Sequence, residues 1–515
     1  MFFPVKKNSG KSQTAVTRSI PAPVGGLNAR DSIADMDEKD AIILENVFPE
    51  ENFVSIRNGH SSHATGMTNQ VESLMVWNGP TSSKMFAANG ANIFEVSSSG
   101  AVGAAAVSGL TNARWHHINF STSGGNFIVC VNGADSPRNY NGSAWATTPA
   151  ITGVTAADLN YVTSHKERLW FVEKESMSAW YLGTQAIGGA ATEFPLGSVF
   201  RQGGYIVAIG SISADSGIGP DDYLVFLSSE GEFVVYAGTD PASAATWSLV
   251  GRYRAGQPIG IRPLESLGGD LLVITRDGVI SVAKMMQKDP AQSQYAAVTN
   301  KISDLINTDA KAYSTNFGWD LQVYPKGKWL LLNVPVSAGA RQIQYVMNIN
   351  TGAWCNFTGL NANCWAVFGG EIYFGGNDGV VYKADTGTND NDDPIVGKIK
   401  GAFQYFGSRG RQKQFTMIRA ILLSTGVPSF LIGIDVDYGD RPPTGVLVPP
   451  TASGTSWGSA VWGSATWGGT ANIIKYWATV TGLGMCAAPR LQITIKGQTC
   501  KLNSFDFIMK PGGPI

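Results

Sequence analysis

Residues able to do chemistry are few in this chain and poorly spaced for it. Gly10-Lys11-Ser12 ends like a phosphate-binding loop, but Val5 stands where that loop needs its first glycine, and no strand precedes it. It reads as a solvated tail. His116 and His117 are the only adjacent histidines. Neighbours on a strand point to opposite faces, so the two cannot share one metal, and one core and one surface placement is expected. Glycoside hydrolysis needs two carboxylates about 5–10 Å apart. Glu167, Glu173, Asp221, Asp222, Asp270 and Asp277 stand near strand ends or turns, yet nothing in the sequence pairs any two of them. No GxSxG nucleophile motif occurs. The acidic run Thr386–Pro394 offers oxygens to calcium, but Pro394 stands where a calcium loop carries its glycine and no acid closes the far end. It reads as a surface linker. Cys130, Cys355, Cys364, Cys486 and Cys500 are scattered, with no CxxC and no Cys/His cluster, so reduced, buried thiols are expected, in keeping with assembly in a cytoplasm. The expectation is a non-enzyme with no catalytic, cofactor-binding or metal-binding residues.

The elements that would position any site are strands. The one helix candidate is Asp37–Asn46, with Asp37 as cap, acids in its first turn, and an end set by Phe48-Pro49. From about residue 70 to 385 an apolar strand, a Gly-bearing turn and a second strand recur, for example at Met85–Val96, Asn126–Tyr140, Arg168–Leu182, Tyr223–Tyr236, Asp270–Val282 and Glu371–Tyr382. Turn centres fall at Gly90, Gly133, Glu175, Gly231, Gly278 and Gly379, close to fifty residues apart on average. One long gap holds a further hairpin at Ile343–Phe357. This spacing is that of propeller blades, small sheets that bury their faces only by stacking in a ring. The expected fold is all-β: a β-propeller of about six blades (five to seven), a C-terminal β-sandwich-like platform domain and an extended N-terminal arm. The competing architecture, tandem β-sandwiches, does not require such even spacing. Boundaries are expected at 1–59 for the arm, short helix and a strand leading into the propeller, 60–388 for the propeller, and 389–515 for the platform.

The platform region carries strand-like runs at Ile418–Ser424, Ser429–Tyr438 and Arg490–Ile495, with Asp435, Asp437 and Asp440 alternating or near a turn. Between them Trp457, Trp462 and Trp467 recur every five residues, a period of neither strand nor helix. Each Trp is expected to pack into a groove of its own or a neighbouring subunit, with carbohydrate stacking as the alternative.

At 515 residues the chain is too long for one compact core. Charged residues make up only 15% of it, against roughly 25% in an ordinary soluble domain. Gly numbers 61 and Trp 14. Little freely solvated surface is implied, as in a subunit that shares its exterior with neighbours, although a weakly charged monomer has the same composition. Net charge is −1 at pH 7, so DNA is expected to pass and not to be gripped. Phe2-Phe3 precedes Lys6-Lys7, the reverse of a secretory signal, and no run approaches the length of a membrane helix, so neither export by that route nor stable membrane insertion is expected.

Two stretches carry a resemblance. Gly25–Gly59 has Gly-Gly-Leu-Asn, then Asn46-Val47-Phe48-Pro49, then Arg57-Asn58-Gly59; Ala237–Gly278 contains AGTDPASAATWSLVGRYRAGQPIG followed by GGDLLVITRDG. Both resemble a family of tail hub or nozzle β-propeller proteins from short-tailed (podovirus-type) phages and related prophages. The Trp repeat and the strands of Gly482–Ile515 are similar too. The resemblance implies a structural virion protein of the tail: a ring, usually of six copies, below the portal and its adaptor. Its lumen would serve as conduit for genome ejection, and its exterior would dock fibres or spikes. It brings no catalytic residues. In such assemblies the N-terminal segment packs with the C-terminal β region as a platform, and Phe2–Pro23, with Lys6, Lys7, Lys11 and Arg18, would be the arm that reaches the adaptor. The alternatives are a stand-alone carbohydrate-binding propeller acting in receptor recognition and a polysaccharide-degrading propeller enzyme.

Overall fold

The computed structural model describes residues 14–215, 220–287, 297–443, 446–447 and 472–514. Gly10-Lys11-Ser12, Lys6, Lys7 and the three periodic tryptophans lie outside the described residues. The chain forms two compact units: Asn58–Gly352 with Asn356–Asp392, and a second that collects the residues up to Arg57, Ala353–Cys355 and those from Asp393 onward.

The first unit is a β-propeller. Each antiparallel hairpin adds the next strand outward, so every blade grows from the axis to the rim. Blade 1 is Val71–Asn78, Ser83–Asn89 and Asn92–Glu95, and blade 2 is His116–Thr122, Gly125–Val131, Arg138–Tyr140 and Trp145–Ala146. Blade 3 is Leu159–His165, Arg168–Glu173, Ser178–Tyr181 and Thr192–Pro195; blade 4 is Ile206–Asp215, Pro220–Ser228, Glu232–Gly238 and Trp247–Arg254. Blade 5 is Leu264–Leu267, Asp270–Thr275 and Gly278–Ser281, and blade 6 contains Asp320–Tyr324, Trp329–Ser337 and Arg341–Asn348. Blade 7 is Ala362–Phe368, Glu371–Gly376 and Val381–Ala384, completed by His60–Thr65 from the other end of the unit. That closing strand runs antiparallel to Val381–Ala384, with Ala64 opposite Val381 and His60 opposite Ala384. The innermost strands touch in the order 1 to 7, and the innermost strand of blade 7 packs against that of blade 1. The ring is closed. It has seven blades, one more than the central expectation and inside the allowed range, because the Ile343 hairpin is itself part of a blade.

Strand alternation explains why the ring holds. Side chains two apart share a face, so each blade sends one set to each neighbour. In blade 1, Leu74, Val76, Met85 and Ala87 join a cluster with Cys364, Ala366 and Tyr373 of blade 7. Met75, Trp77, Phe86 and Ala88 turn the other way, to Trp115, Ile128 and Cys130. Blade 4 divides alike: Leu224 and Phe226 face Trp170 and Tyr181 of blade 3, while Val225 and Leu227 face Leu271 and Val273 of blade 5. Each face so buried stabilises by about 25 cal/mol per Å² of apolar surface, and no blade could bury both alone.

The second unit contains two sheets. One runs Asn472–Ile474, Arg411–Ser424, Cys500–Pro514, Val54–Ile56, Val47–Pro49; Ala478–Gly484 also pairs with Arg411–Ser424, and Val16–Pro21 with Cys500–Pro514. The other includes Asp40–Glu45, Ile395–Gly401, Ala487–Ile495, Ser429–Val436 and Val446–Leu447. The sheets pack face to face at glycines. A Cβ on Gly397 would lie 2.3 Å from Ile56, and one on Gly482 would lie 2.7 Å from Val436.

The helix expectation is corrected. Residues 37–46 hold no helix; Asp40–Glu45 is a strand paired with Ile395–Gly401. Asp37, expected as a cap, instead accepts the Lys39 N–H at 2.8 Å in a local turn, and the β-branched pair Ile42-Ile43 favours the extended form. Helices occur elsewhere, at Val282–Gln287 and Ser303–Tyr313, the latter burying only Ile306 and Ala310.

Candidate functional site

The acids singled out in the sequence are dispersed; Glu167, Glu173, Asp222 and Asp270 are held by hydrogen bonds, whereas Asp277 is exposed and its carboxylate has no partner among the described residues. Glu173 accepts from Trp180 Nε1 at 3.0 Å, and Glu167 from Gln185 Nε2 at 3.2 Å. Asp222 takes Lys166 Nζ at 2.6 Å and Ser213 Oγ at 2.7 Å, which holds its carboxyl below the usual range. Asp270 accepts the N–H groups of Leu271 and Ala283 at the start of a helix. The Asp221 side chain is outside the described residues. In the Thr386–Pro394 run, Asp390 meets His60 Nδ1 at 3.1 Å and Asn391 accepts from Ser62, so the segment is stitched to the closing strand. Among the described residues no three His, Cys, Asp or Glu side chains gather where they could hold a metal. All five cysteines are buried and unpaired with one another; burial alone pushes the Cys500 thiol up to about 12.

Polar groups converge instead at the axis of the propeller. A cavity of about 330 Å³ there is lined by innermost strands of blades 1, 2, 5, 6 and 7. His116 and His117 both line it, which corrects the expectation of one core and one surface placement. An innermost strand has neighbouring blades on either side, so neither of its faces meets open water. His116 stacks on Tyr161 with ring centroids 3.7 Å apart. Burial holds His116 well below 6.5 and brings His117 down to about 4, with the Arg262 guanidinium adding to both.

Arg262 ties the axis together. Its Nη2 donates to the carbonyl of Glu72 at 2.8 Å, to Ser73 Oγ, and to the carbonyl of Trp115 at 3.3 Å; its Nη1 lies 4.0 Å from Asp320. One side chain thus bridges blades 1, 2 and 6. Asp320 is raised to about 6 by burial, against the opposing pull of Arg262. Glu265 is raised to about 8, again by burial first, although it accepts the Val323 N–H at 3.2 Å. Arg262, Glu265 and Asp320 escaped the sequence reading. Their signal was charge inside short apolar runs, as in Arg262-Pro263-Leu264-Glu265.

A larger cavity, about 630 Å³, opens on one face of the ring. The loops entering the innermost strands and the turns between second and third strands all emerge on that face, by the alternation of strand direction. Those of blades 2 to 5 line the cavity: Arg114, Lys174 and Arg276 supply positive charge, and Glu230 is the lone acid. Glu230 is engaged, accepting Gln257 Nε2 at 3.0 Å. Arg114 reaches Glu72 at 3.2 Å and lies over the Phe317 ring.

In the second unit, Asp435 is buried and meets Lys400 Nζ at 2.9 Å and Arg490 Nη1 at 3.1 Å; Asp440 joins the same two cations. Asp437 accepts the Met485 N–H at 2.8 Å. Asp435 therefore braces the second unit from within, and Asp437 and Asp440 from its surface.

No family model matches the chain, and no curated protein matches it. Solved structures that resemble it include a WD40 β-propeller domain. The computationally designed Ika8 protein is 10% identical, with 63% of this chain and 99% of that chain covered, at a TM-score of 0.37. Raptor from Chaetomium thermophilum is 10% identical over 64% of this chain and 29% of its own, at 0.42. The WD40 β-propeller domain of Doa1 is 10% identical over 63% of this chain and 96% of its own, at 0.40. The fold rests on the closed order of innermost strands: the first unit is a seven-bladed β-propeller.

Proposed function

We propose that this chain is a structural virion protein, a tail hub or nozzle subunit of a short-tailed phage, assembling as a ring of about six copies below the portal and adaptor. The observation that supports it most lies in the second unit. Ile473, Tyr476 and Leu483 are 66%, 46% and 63% exposed on or beside the strands Asn472–Ile474 and Ala478–Gly484. Large apolar side chains shown to water in this way suit burial by a neighbouring subunit. The low charge content fits the same use, and a near-neutral chain suits a conduit through which DNA slides during ejection. Fibres or spikes would dock on the exterior. Glu167, Glu173, Asp222 and Asp270 are spent on hydrogen bonds that hold blades and turns, which suits stiffness better than turnover.

Electron microscopy of the purified protein, alone and with the adaptor, tests the reading. Rings are expected, and Leu483→Asp should weaken them. A strictly monomeric protein that joins no tail would overturn the proposal.

A second reading, a receptor-binding propeller, is favoured by one observation, the cavity on the face of blades 2 to 5.

A further inference from the structure

We propose that the funnel on the face of blades 2 to 5 is a binding site for an acidic saccharide. The inference stands whether or not the chain builds a tail ring.

Three features point to a ligand. First, the funnel leaves two cations unanswered. Among the described residues, Lys174 and Arg276 make no ion pair and no side-chain hydrogen bond, while Arg114 is partly held by Glu72 on the rim. With Glu230 committed to Gln257, the balance is positive and unfilled. Second, the floor carries an orphan acceptor. Asn160 Oδ1 is buried and has no hydrogen-bond partner, an unfavourable state that an arriving donor would relieve. Gly133, at φ +66°, approaches it so closely that a Cβ would lie 2.9 Å from Asn160 Cβ, so backbone and amide are packed as a shaped floor. Third, an apolar wall stands beside these groups. Tyr205 and Ile261 are 41% and 43% exposed, and Tyr205 is fixed by its N–H to Ser229 Oγ at 3.2 Å.

Together these features select a chemistry. Unanswered cations on the turns of blades 3 and 5 ask for a carboxylate. A buried amide oxygen asks for a hydroxyl or amide N–H, and a partly exposed tyrosine ring offers its face to the C–H side of a pyranose. The volume is that of a small-molecule site and accommodates one or two sugar rings. A uronic-acid or sialic-acid unit presents all three complements within a single ring, whereas an extended acidic peptide would leave the Tyr205 face and the Asn160 floor unused.

The test uses the full-length protein and calorimetric titration with oligogalacturonate and sialyllactose, against neutral maltotriose and lactose, with a poly-glutamate peptide as competitor. At least one acidic sugar should bind, and the neutral ones should not. Lys174→Glu and Arg276→Glu, both at exposed positions, should each weaken binding about tenfold or more without changing the thermal midpoint. Asn160→Leu should weaken it similarly at constant salt dependence, which separates the floor from the charges. Absence of any acidic-sugar binding, or binding indifferent to both charge reversals, would overturn the assignment. So would poly-glutamate binding more tightly than every sugar at the same residues.

Discussion

Between pH 6.5 and 8 the propeller should lose stability, and Glu265 should be the cause. Its carboxyl is raised to about 8 because it is buried between the innermost strands of blades 5 and 6. In the unfolded chain it ionises near its ordinary value of about 4.3. The sign follows from linkage. Below the unfolded value both states hold the proton and nothing is lost; as pH rises, the unfolded chain releases it while the folded one retains it, so unfolding gains until the folded value is passed. The loss is about 1.36 kcal/mol per pH unit. Lower in the range His116 and His117 oppose it, since both stay neutral when folded and protonate when unfolded below about 6.5. Above 6.5 that opposition fades, and Asp320, raised only to about 6, is already ionised in both states. The window that isolates Glu265 therefore spans about 1.5 units, worth about 2 kcal/mol. Urea unfolding followed by tryptophan fluorescence at intervals across the window reads it directly. Glu265→Gln keeps an oxygen for the Val323 N–H and should flatten the profile. A flat wild-type profile, or an unchanged slope in Glu265→Gln, would refute the reasoning.

Other expectations follow from the packing. Asp435→Ala should destabilise the second unit by about 1–3 kcal/mol, because the buried Lys400 and the half-buried Arg490 would keep only the exposed Asp440 as partner; the unfolding midpoint checks it. Phe226→Ala, at the face between blades 3 and 4, should cost about 3–5 kcal/mol, seen as a lowered denaturant midpoint with unchanged strand content by circular dichroism. Leu483→Asp should leave stability within about 0.5 kcal/mol while reducing self-association in sedimentation, since the side chain is exposed in the subunit.

The propeller was legible because its turns announce themselves. Gly90, Gly133, Gly231, Gly278 and Gly379 all sit at positive φ, and Glu175, the one turn centre without glycine, does so as well at 56°. Alternation along Leu74–Trp77 or Leu224–Leu227 shows two buried faces, which only stacked sheets provide. What escaped was non-local. His60–Thr65 reads HSSHAT, with no apolar pattern, and becomes a strand only because blade 7 lacks one. Ser303–Tyr313 buries so narrow a stripe that its period is lost among polar neighbours. Asp40–Glu45 was drawn to helix by acids that belong to a turn. At the axis, Arg262 and Glu265 belong to blade 5 and Asp320 to blade 6, and no spacing along the chain brings Asp320 to the other two.

Closure by His60–Thr65 orders the birth of the molecule. Those residues leave the ribosome early, yet their partner Val381–Ala384 is made only after six other blades, and Val16–Pro21 waits longer still for Cys500–Pro514. Both early strands must stay uncommitted until their distant partners have been made, which slows closure through its long loop. A chain cut short after blade 6 would bare two apolar sheet faces at once, one on each side of the missing wedge, and aggregation would be its natural fate.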